Sequence, residues 1–187
     1  GDWKPSVESF ATLLARDASS RPVSQPYPFC LASPLEDAPA TLGDPANFLV
    51  EWKWDGIRGQ LIRREGQTFL WSRGEELLDG RFPEIEAAAT QLPDGTVLDG
   101  EVLAWNAQGV MPFAVLQKRI GRKTLGRKLL ADAPVVFRAY DLVEWDGEDL
   151  RAQPLSERRA RLEALLGNPE PGSPLQLSDA VHAESWS

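Results

Sequence analysis

The chain has 187 residues and a formal net charge of −8, which argues against non-specific attraction to nucleic acid over its whole surface. Its single cysteine, Cys30, excludes an internal disulfide, and together with the single histidine, His182, it provides too few ligands for a Cys/His zinc site. No apolar run approaches the length that spans a membrane, so we expect no membrane partner.

The first 47 residues predict a helix followed by an extended connection. Ser6 suits a helix N-cap, and apolar residues from Val7 to Leu14 recur at helical spacing. Residues 21–47 contain six prolines, a composition hostile to helices and to central strands. We interpret this segment as a connection between domains that ends by wrapping onto the next one.

From residue 48 onward, short apolar runs are separated by Asp-Gly and Glu-Gly turns, a pattern typical of antiparallel strands. Helical patterns lie between some of the strands, so the sequence predicts an α+β domain built on antiparallel sheet. The predicted strands cover residues 48–53, 58–64, 68–72, 96–105, 135–145 and 175–177, and the predicted helices cover residues 82–92, 113–119, 123–130 and 155–166.

Lys53 lies between Trp52 and Trp54 and is followed at once by an Asp-Gly turn and Arg58. The strands predicted on either side place its amine at or near a strand end, beside the turn. A lysine is a nucleophile only when uncharged, and burial against aromatic rings and a nearby cation both favour the uncharged form. The stretch therefore indicates an amine held for attack on phosphorus. A surface lysine beside an ordinary hairpin turn is the alternative interpretation.

No Gly-x-Gly-x-x-Gly motif and no Walker loop occurs, so a nucleotide would be bound without those devices. Side chains suited to phosphate, ribose or base contacts are nevertheless spread along the chain. In order they are Glu51, Lys53, Asp55, Arg58, Arg73, Glu101 and Tyr140.

Four short motifs occur in the order found in one family of enzymes. They are Lys-x-Asp-Gly-x-Arg at residues 53–58, Ser-Arg at 72–73, Asp-Gly-Glu at 99–101, and an aromatic before Asp-Leu at 140–142. This series resembles the motifs of ATP-dependent DNA ligases and of the related RNA ligases and capping enzymes. The resemblance extends from about residue 28 to the C-terminus and implies their ATP-grasp-like nucleotidyltransferase, or adenylation, domain.

By this resemblance, Lys53 attacks the α-phosphate of ATP, releases pyrophosphate and forms a lysyl-AMP. The AMP then passes to the 5′-phosphate of a nicked DNA strand, and attack by the 3′-hydroxyl seals the nick. Such transfers depend mainly on positioning and charge stabilisation. The resemblance thus implies ATP and Mg²⁺ as cofactors and nicked double-stranded DNA as the partner.

The resemblance also implies the roles of the other candidates. Arg58 and Arg73 bind phosphate or ribose oxygens, and Tyr140 offers a flat face for adenine. Glu101 accepts a ribose hydroxyl or helps to hold Mg²⁺, and Glu51 accepts from the adenine amino group. The plainer alternatives are surface ion pairs for the arginines, a solvated acid near a turn and an ordinary core aromatic.

A basic run without acidic residues covers residues 117–130. Four of its side chains are candidate contacts to the DNA backbone: Lys118, Arg119, Arg122 and Lys123. A solvated helix face, with basic residues for solubility, is the alternative.

The family closes its site with a Glu-Gly element and a Lys-x-Lys strand, followed by an oligonucleotide-binding domain, and no counterpart follows Trp186. We therefore expect residues 23–187 to be a partial adenylation domain, truncated at its C-terminus and unable to seal nicks alone. Residues 1–22 would end an upstream DNA-binding helical domain and its linker. The parent protein would be a bacterial ligase, cytoplasmic and associated with the nucleoid.

Two other functions stay open on the sequence alone. An RNA ligase or a capping-type nucleotidyltransferase would use the same lysine with another nucleic acid or donor nucleotide. A non-catalytic nucleic-acid-binding module of the same fold would bind DNA without Lys53 and with a steep salt dependence.

Overall fold

The computed structural model describes residues 22–122, 124–182 and 185–186, so the helix expected in the first 20 residues lies outside the described part. Within these ranges seven strands form one sheet: β1 Ile57–Arg64, β2 Gln67–Ser72, β3 Thr96–Asn106, β4 Gly109–Val110, β5 Val135–Trp145, β6 Glu148–Asp149 and β7 Leu175–Leu177. The main order is β2-β1-β3-β5-β6, with β4 paired to β3 and β7 paired to β5.

Helices cover one face of this sheet. Leu61, Leu98 and Phe137, from the three central strands, are fully buried in a core that also contains Leu116 and Leu162 from two helices. No helix in the described part of the chain is long and apolar enough to cross a bilayer. The helices are α1 Pro83–Ala89, α2 Phe113–Ile120, α3 Arg127–Asp132 and α4 Leu155–Leu166, with two short 3₁₀ helices at Pro39–Leu42 and Pro45–Asn47.

Two tight turns set the antiparallel hairpins at the ends of the sheet. Glu65 and Gly66, between β1 and β2, have φ angles of 49° and 69°, and Asp146 and Gly147, between β5 and β6, have 51° and 77°. Paired positive φ angles match the twist of a two-residue hairpin. Strand β7 is the exception to the expected antiparallel order, because α4 carries the chain back to run parallel to β5.

The α+β prediction is confirmed, but the strand predicted over residues 48–53 is wrong. Within it only Glu51 forms a β-bridge, to Ala180, and the Val50 carbonyl accepts from the Val181 amide. These isolated contacts to an irregular segment do not build a ladder, so β1 starts only at Ile57.

The helix predicted over residues 123–130 is also shifted. It begins at Arg127, directly after Gly126, and ends at Asp132. Glycine disfavours helix because its backbone loses the most conformational freedom on ordering. The start of this helix is therefore set by Gly126 rather than by the basic run.

Residues 22–32, which we call the N-terminal strap, lie across the sheet face opposite the helices. Tyr27 is buried and exchanges two hydrogen bonds with the Gln60 side chain, at 2.7 and 3.1 Å. Its hydroxyl donates to Glu144 at 2.7 Å, and Arg64 forks onto the same carboxylate at 2.9 and 2.5 Å. Because the Glu144 side chain is only 5% exposed, this cluster fastens the strap to two strands at once.

Glu144→Gln tests how firmly the strap is fastened. The amide keeps the shape of the carboxylate but leaves Arg64 buried without its counter-charge, so we expect a loss of about 3 kcal/mol in the free energy of unfolding. Chemical denaturation measures this value. Glu148→Gln, at an exposed acid on β6 of the same hairpin, is the control and should change it by less than about 0.5 kcal/mol. Equal effects of the two variants would contradict the role of Glu144.

Candidate active site

An open groove of about 860 Å³ lies on the strap side of the sheet, where β1, β3 and β5 run beside one another. The structure brings Lys53 and all five predicted nucleotide-binding side chains to this groove. The strap and the first residue of α4 complete its rim. The lining residues include Cys30, Glu51, Trp52, Lys53, Asp55, Arg58, Arg73, Glu101, Tyr140 and Leu155.

Lys53 lies in an irregular segment, residues 52–55, that leads into β1. Its side chain is exposed, Trp52 is 65% exposed, and the Trp54 ring packs against Trp105 with centroids 5.9 Å apart. The expectation that two tryptophans bury the amine is therefore wrong. The indole rings do not close over Lys53, because one extends into solvent and the other belongs to a separate aromatic cluster.

Arg58 is held by an acid that sequence reasoning did not single out. Its Nε and Nη2 donate to the two carboxylate oxygens of Asp99 at 3.2 and 2.9 Å. Its Nη1 donates to the Cys30 carbonyl at 2.5 Å, and the rings of Phe29 and Tyr140 lie 5.5 and 5.8 Å from its guanidinium carbon. The strap thus helps to fix the cation at the groove wall.

Tyr140 donates its hydroxyl to Asp99 Oδ1 at 3.2 Å. Burial raises the pKa of Asp99, and the hydrogen bonds and charge of Arg58 oppose that rise. Burial, followed by the charge of Asp99, also raises the pKa of the Tyr140 phenol, so it stays a neutral donor. Asp99, Arg58 and Tyr140 therefore form one unit across three strands.

Glu101 lies directly opposite Arg58 on the neighbouring strand. Its Oε1 accepts from the Gly56 amide at 3.2 Å, at the end of the lysine segment. Burial raises the pKa of Glu101 to about 7, against the lowering effects of the Gly56 hydrogen bond, Arg58 and Lys53. The carboxyl therefore changes charge near neutral pH, and its ionised form is a ligand for a hydroxyl or a hard cation.

Glu51 is tied to the opposite wall of the groove. Its Oε1 accepts from Arg159 Nη1 at 3.0 Å, and Arg159 also donates to the Ser178 carbonyl at 2.7 Å. Burial raises the pKa of Glu51, and the charge of Arg159 opposes the rise. The acid is thus fixed in place by a cation that is itself almost fully buried.

Arg73 is exposed and follows β2 directly. Its amide donates to the Arg58 carbonyl at 2.9 Å, which brings the two arginines to the same end of the sheet. With neighbours Ser72 and Gly74 it forms the outer rim of the groove.

The residues that sequence reasoning missed are mostly buried supports. Asp99 had a local signal, because it lies two residues before Glu101 and alternate residues of a strand share a face. Arg159 had none, since its partner Glu51 is 108 residues away along the chain. Arg138 and Ser178 are likewise buried by contacts that form only in the folded sheet.

The prediction that Arg119 contacts DNA is wrong. Its side chain is fully buried, forks onto Glu84 with two bonds of 2.7 Å and donates to the Ala133 carbonyl at 3.0 Å. Position 119 falls on the inner face of α2, so the arginine fastens this helix to α1 instead of facing solvent.

Lys118 and Arg122, by contrast, are exposed, and they stay candidates for phosphate contacts. Lys123, the fourth candidate, lies outside the described residues.

A metal site built by protein side chains alone is not present in the described ranges, where no group of three or more His, Cys, Asp or Glu could hold an ion. Mg²⁺, however, is commonly bound by one or two carboxylates together with substrate phosphates. Glu101, in the groove and able to ionise near neutral pH, fits that requirement.

Sequence comparison adds an independent finding. The model of the family described as the ATP dependent DNA ligase domain matches residues 29–185. A probable DNA ligase of Opitutus terrae is 40% identical over 171 residues, which are 89% of this chain and 16% of that protein. DNA ligase C2 of Mycolicibacterium smegmatis is 37% identical over 146 residues, 76% of this chain and 41% of that protein. The chain thus spans well under half the length of either relative.

Solved structures agree with the sequence matches. The ligase domain of LigD from M. tuberculosis has a TM-score of 0.56 and 30% identity, covering 72% of this chain and 40% of that one. A mycobacterial DNA ligase D complexed with ATP and MES gives the same values. Because the family model covers most of the described residues, with the motifs collected around one groove, the chain belongs to the ATP-dependent DNA ligase domain family.

Proposed function

We propose that this chain is the adenylation part of an ATP-dependent DNA ligase and that Lys53 is its nucleotide acceptor. The observation that carries the proposal is the convergence of Lys53 and the five predicted nucleotide-binding side chains on one open groove. Family membership supports the reaction type, and the groove supports the assignment of residues.

The first step of the proposed reaction forms a lysyl-AMP. The uncharged amine of Lys53 attacks the α-phosphorus of ATP and forms an N–P bond, while the bond to the bridging oxygen breaks and pyrophosphate leaves. The amine loses a proton in the process. Arg58 and Arg73, at one end of the sheet, stabilise the charge on phosphate or ribose oxygens.

The base and the sugar are held by the remaining side chains. Tyr140 supplies the stacking face for adenine, and Glu51 accepts from its amino group. Ionised Glu101 accepts a ribose hydroxyl or helps to hold Mg²⁺, which when bound neutralises phosphate charge. The metal would enter with the nucleotide, since Glu101 needs the phosphates to complete its coordination.

The later steps belong to the longer protein that carries this sequence. There the AMP passes to the 5′-phosphate of a nicked duplex, and the 3′-hydroxyl displaces it. The exposed cations Lys118 and Arg122 would contact the DNA backbone. A DNA substrate implies action at the nucleoid. The family match begins at residue 29, which supports a domain boundary near residue 22.

The acceptor is tested by intact-mass analysis after incubation of the full-length protein with ATP and Mg²⁺. We expect the wild type to gain the mass of one AMP, and Lys53→Ala and Lys53→Arg to gain none, because a guanidinium is not a nucleophile at neutral pH. Lys128→Ala, a lysine that does not line the groove, should gain AMP like the wild type.

An AMP adduct that still forms on Lys53→Ala would show that another residue is the acceptor. A wild-type protein that binds DNA but never gains AMP would favour a non-catalytic binding module over a ligase.

The raised pKa of Glu101 predicts a pH-dependent stability. Folded Glu101 keeps its proton up to about pH 7, while an unfolded glutamate loses it near 4.5. Its ionisation in the folded state is therefore unfavourable, and the stability it contributes at low pH is lost as the pH rises from about 4.5 through 7. We expect Glu101→Gln to melt close to the wild type at pH 5 and above it at pH 8.

Thermal melting across this pH range measures the effect. Glu65→Gln, an exposed acid in the β1–β2 turn, is the control and should follow the wild type throughout. If the Glu101→Gln and wild-type curves run parallel from pH 5 to pH 8, Glu101 does not titrate in this window.

DNA binding by the two exposed cations is tested by salt dependence with a nicked duplex as probe. Each phosphate contact contributes about 0.9 to the slope of log K against log salt, so Lys118→Gln with Arg122→Gln should reduce the slope by about 1.8. Arg161→Gln, an exposed arginine of α4, is the control and should leave it unchanged. An unaltered slope in the double variant would remove these residues from the DNA interface.

A further inference from the structure

The Trp54 side chain is anchored at three points, directly after the acceptor lysine. Its indole Nε1 donates to Ser178 Oγ at 3.0 Å. Its ring centroid lies 5.1 Å from the guanidinium carbon of Arg138 and 5.9 Å from the Trp105 ring, in an edge-to-face arrangement. The neighbour of Lys53 is thus held by side chains that do not line the groove.

Arg138 is built into this anchor. It is 6% exposed, and its guanidinium carbon lies beside both indole rings, 5.1 Å from the Trp54 centroid and 5.0 Å from the Trp105 centroid. Gln176 and Asp179 accept its Nη1 and Nη2 at 3.0 and 2.5 Å. A guanidinium stacks on aromatic faces where an ammonium does not, so the cation orients both rings.

Ser178 connects the two sides of the lysine. It is fully buried, and its hydroxyl accepts from Trp54. The other side of the lysine is linked to the same residue through Arg159, which donates to the Ser178 carbonyl at 2.7 Å and to Glu51 Oε1 at 3.0 Å. Ser178 therefore connects to residues 51 and 54, and Lys53 lies between them.

This anchoring matters because the lysine segment lacks a strand of its own. The backbone is fixed at Val50, whose carbonyl accepts from Val181, and at Gly56, whose amide donates to Glu101. Between these points the segment is irregular. In-line attack on phosphorus needs the amine placed to within a fraction of an ångström, and such placement must come from supporting side chains.

We propose that Ser178 and Arg138 are positioning residues for Lys53 and act through the Trp54 ring. The proposal rests on the function assigned to Lys53 above. Trp54 lines the groove beside Lys53, but its two anchors do not. The proposal therefore predicts that loosening the ring slows the chemical step with little effect on the binding of ATP, provided that an aromatic ring stays at position 54.

A double-mutant cycle on the full-length protein tests this inference. Trp54→Phe keeps the ring but lacks the donor, and Ser178→Ala removes the acceptor. Rapid-quench assays with labelled ATP and Mg²⁺ give the rate constant of lysyl-AMP formation. We expect Trp54→Phe to lower it about five- to tenfold, with the KM for ATP within about twofold of the wild type.

The coupling between the two substitutions distinguishes a positioning role from a general loss of structure. If both variants break the same hydrogen bond, the double variant should be no more than about twofold slower than Ser178→Ala alone. Ser173→Ala removes a half-buried hydroxyl contact in the loop before β7 and should keep the wild-type rate. Melting curves check folding, and if Ser178→Ala does not fold, Trp54→Phe alone decides.

Arg138 is examined in the same assay. Arg138→Met removes the cation beside the two rings and should slow lysyl-AMP formation about fivefold. Arg138→Lys keeps the charge but cannot stack, so it should restore only part of the rate. A normal rate in Trp54→Phe would overturn this inference but leave the proposed function standing. The same holds if the rate losses of the two single variants multiply in the double variant. A wild type that forms no lysyl-AMP would overturn the proposed function as well.

Discussion

The Asp99 carboxylate is the contact on which the groove depends. It lies on the central strand β3. It accepts two hydrogen bonds from Arg58 on β1 and one from Tyr140 on β5. Because Asp99 is 4% exposed, burying its ionised carboxylate would be strongly unfavourable without these donors. One buried acid therefore sets the positions of a cation and of an aromatic face, and the strap adds the Cys30 carbonyl from the other side.

Ionising the carboxyls around that contact is electrostatically unfavourable. Burial raises the pKa of three of its carboxyls, Glu51, Asp99 and Glu101, so each ionised form is held against its solvation. Arg159 and Arg58 offset the cost for the first two, while Glu101 has only a backbone donor and more distant cations. Buried carboxyls with raised pKa values cluster at functional sites, where a ligand interacts with their charge. The least compensated acid is thus the one proposed to bind the ribose or Mg²⁺.

Sequence reasoning succeeded where the signal was local. The Asp-Gly and Glu-Gly turns predicted antiparallel strands, and the two hairpin turns at residues 65–66 and 146–147 have paired positive φ angles. The motif series grouped residues 58, 101 and 140, and all three line one groove. It failed where burial is decided by distant partners. Arg119 looked like a surface cation because its partner Glu84 is 35 residues away. Residues 48–53 looked like a strand because they begin with an apolar run, but their pairing partner near residue 180 is irregular and offers only one bridge, between Glu51 and Ala180.

The exposure of Lys53 limits how its amine can become reactive. A nucleophilic lysine must lose both its proton and its hydration, yet Trp52 is largely exposed and Trp54 is committed to its anchor. Under the proposed reaction, the nucleotide supplies what the rings do not: adenine against Tyr140 and phosphates against Arg58 would fill the open groove and exclude water around the amine. The protein then fixes the position of Lys53 in advance, while its reactivity arises only with the substrate in place. This division explains why a lysine meant to attack phosphorus can be exposed in the free chain without being poorly placed.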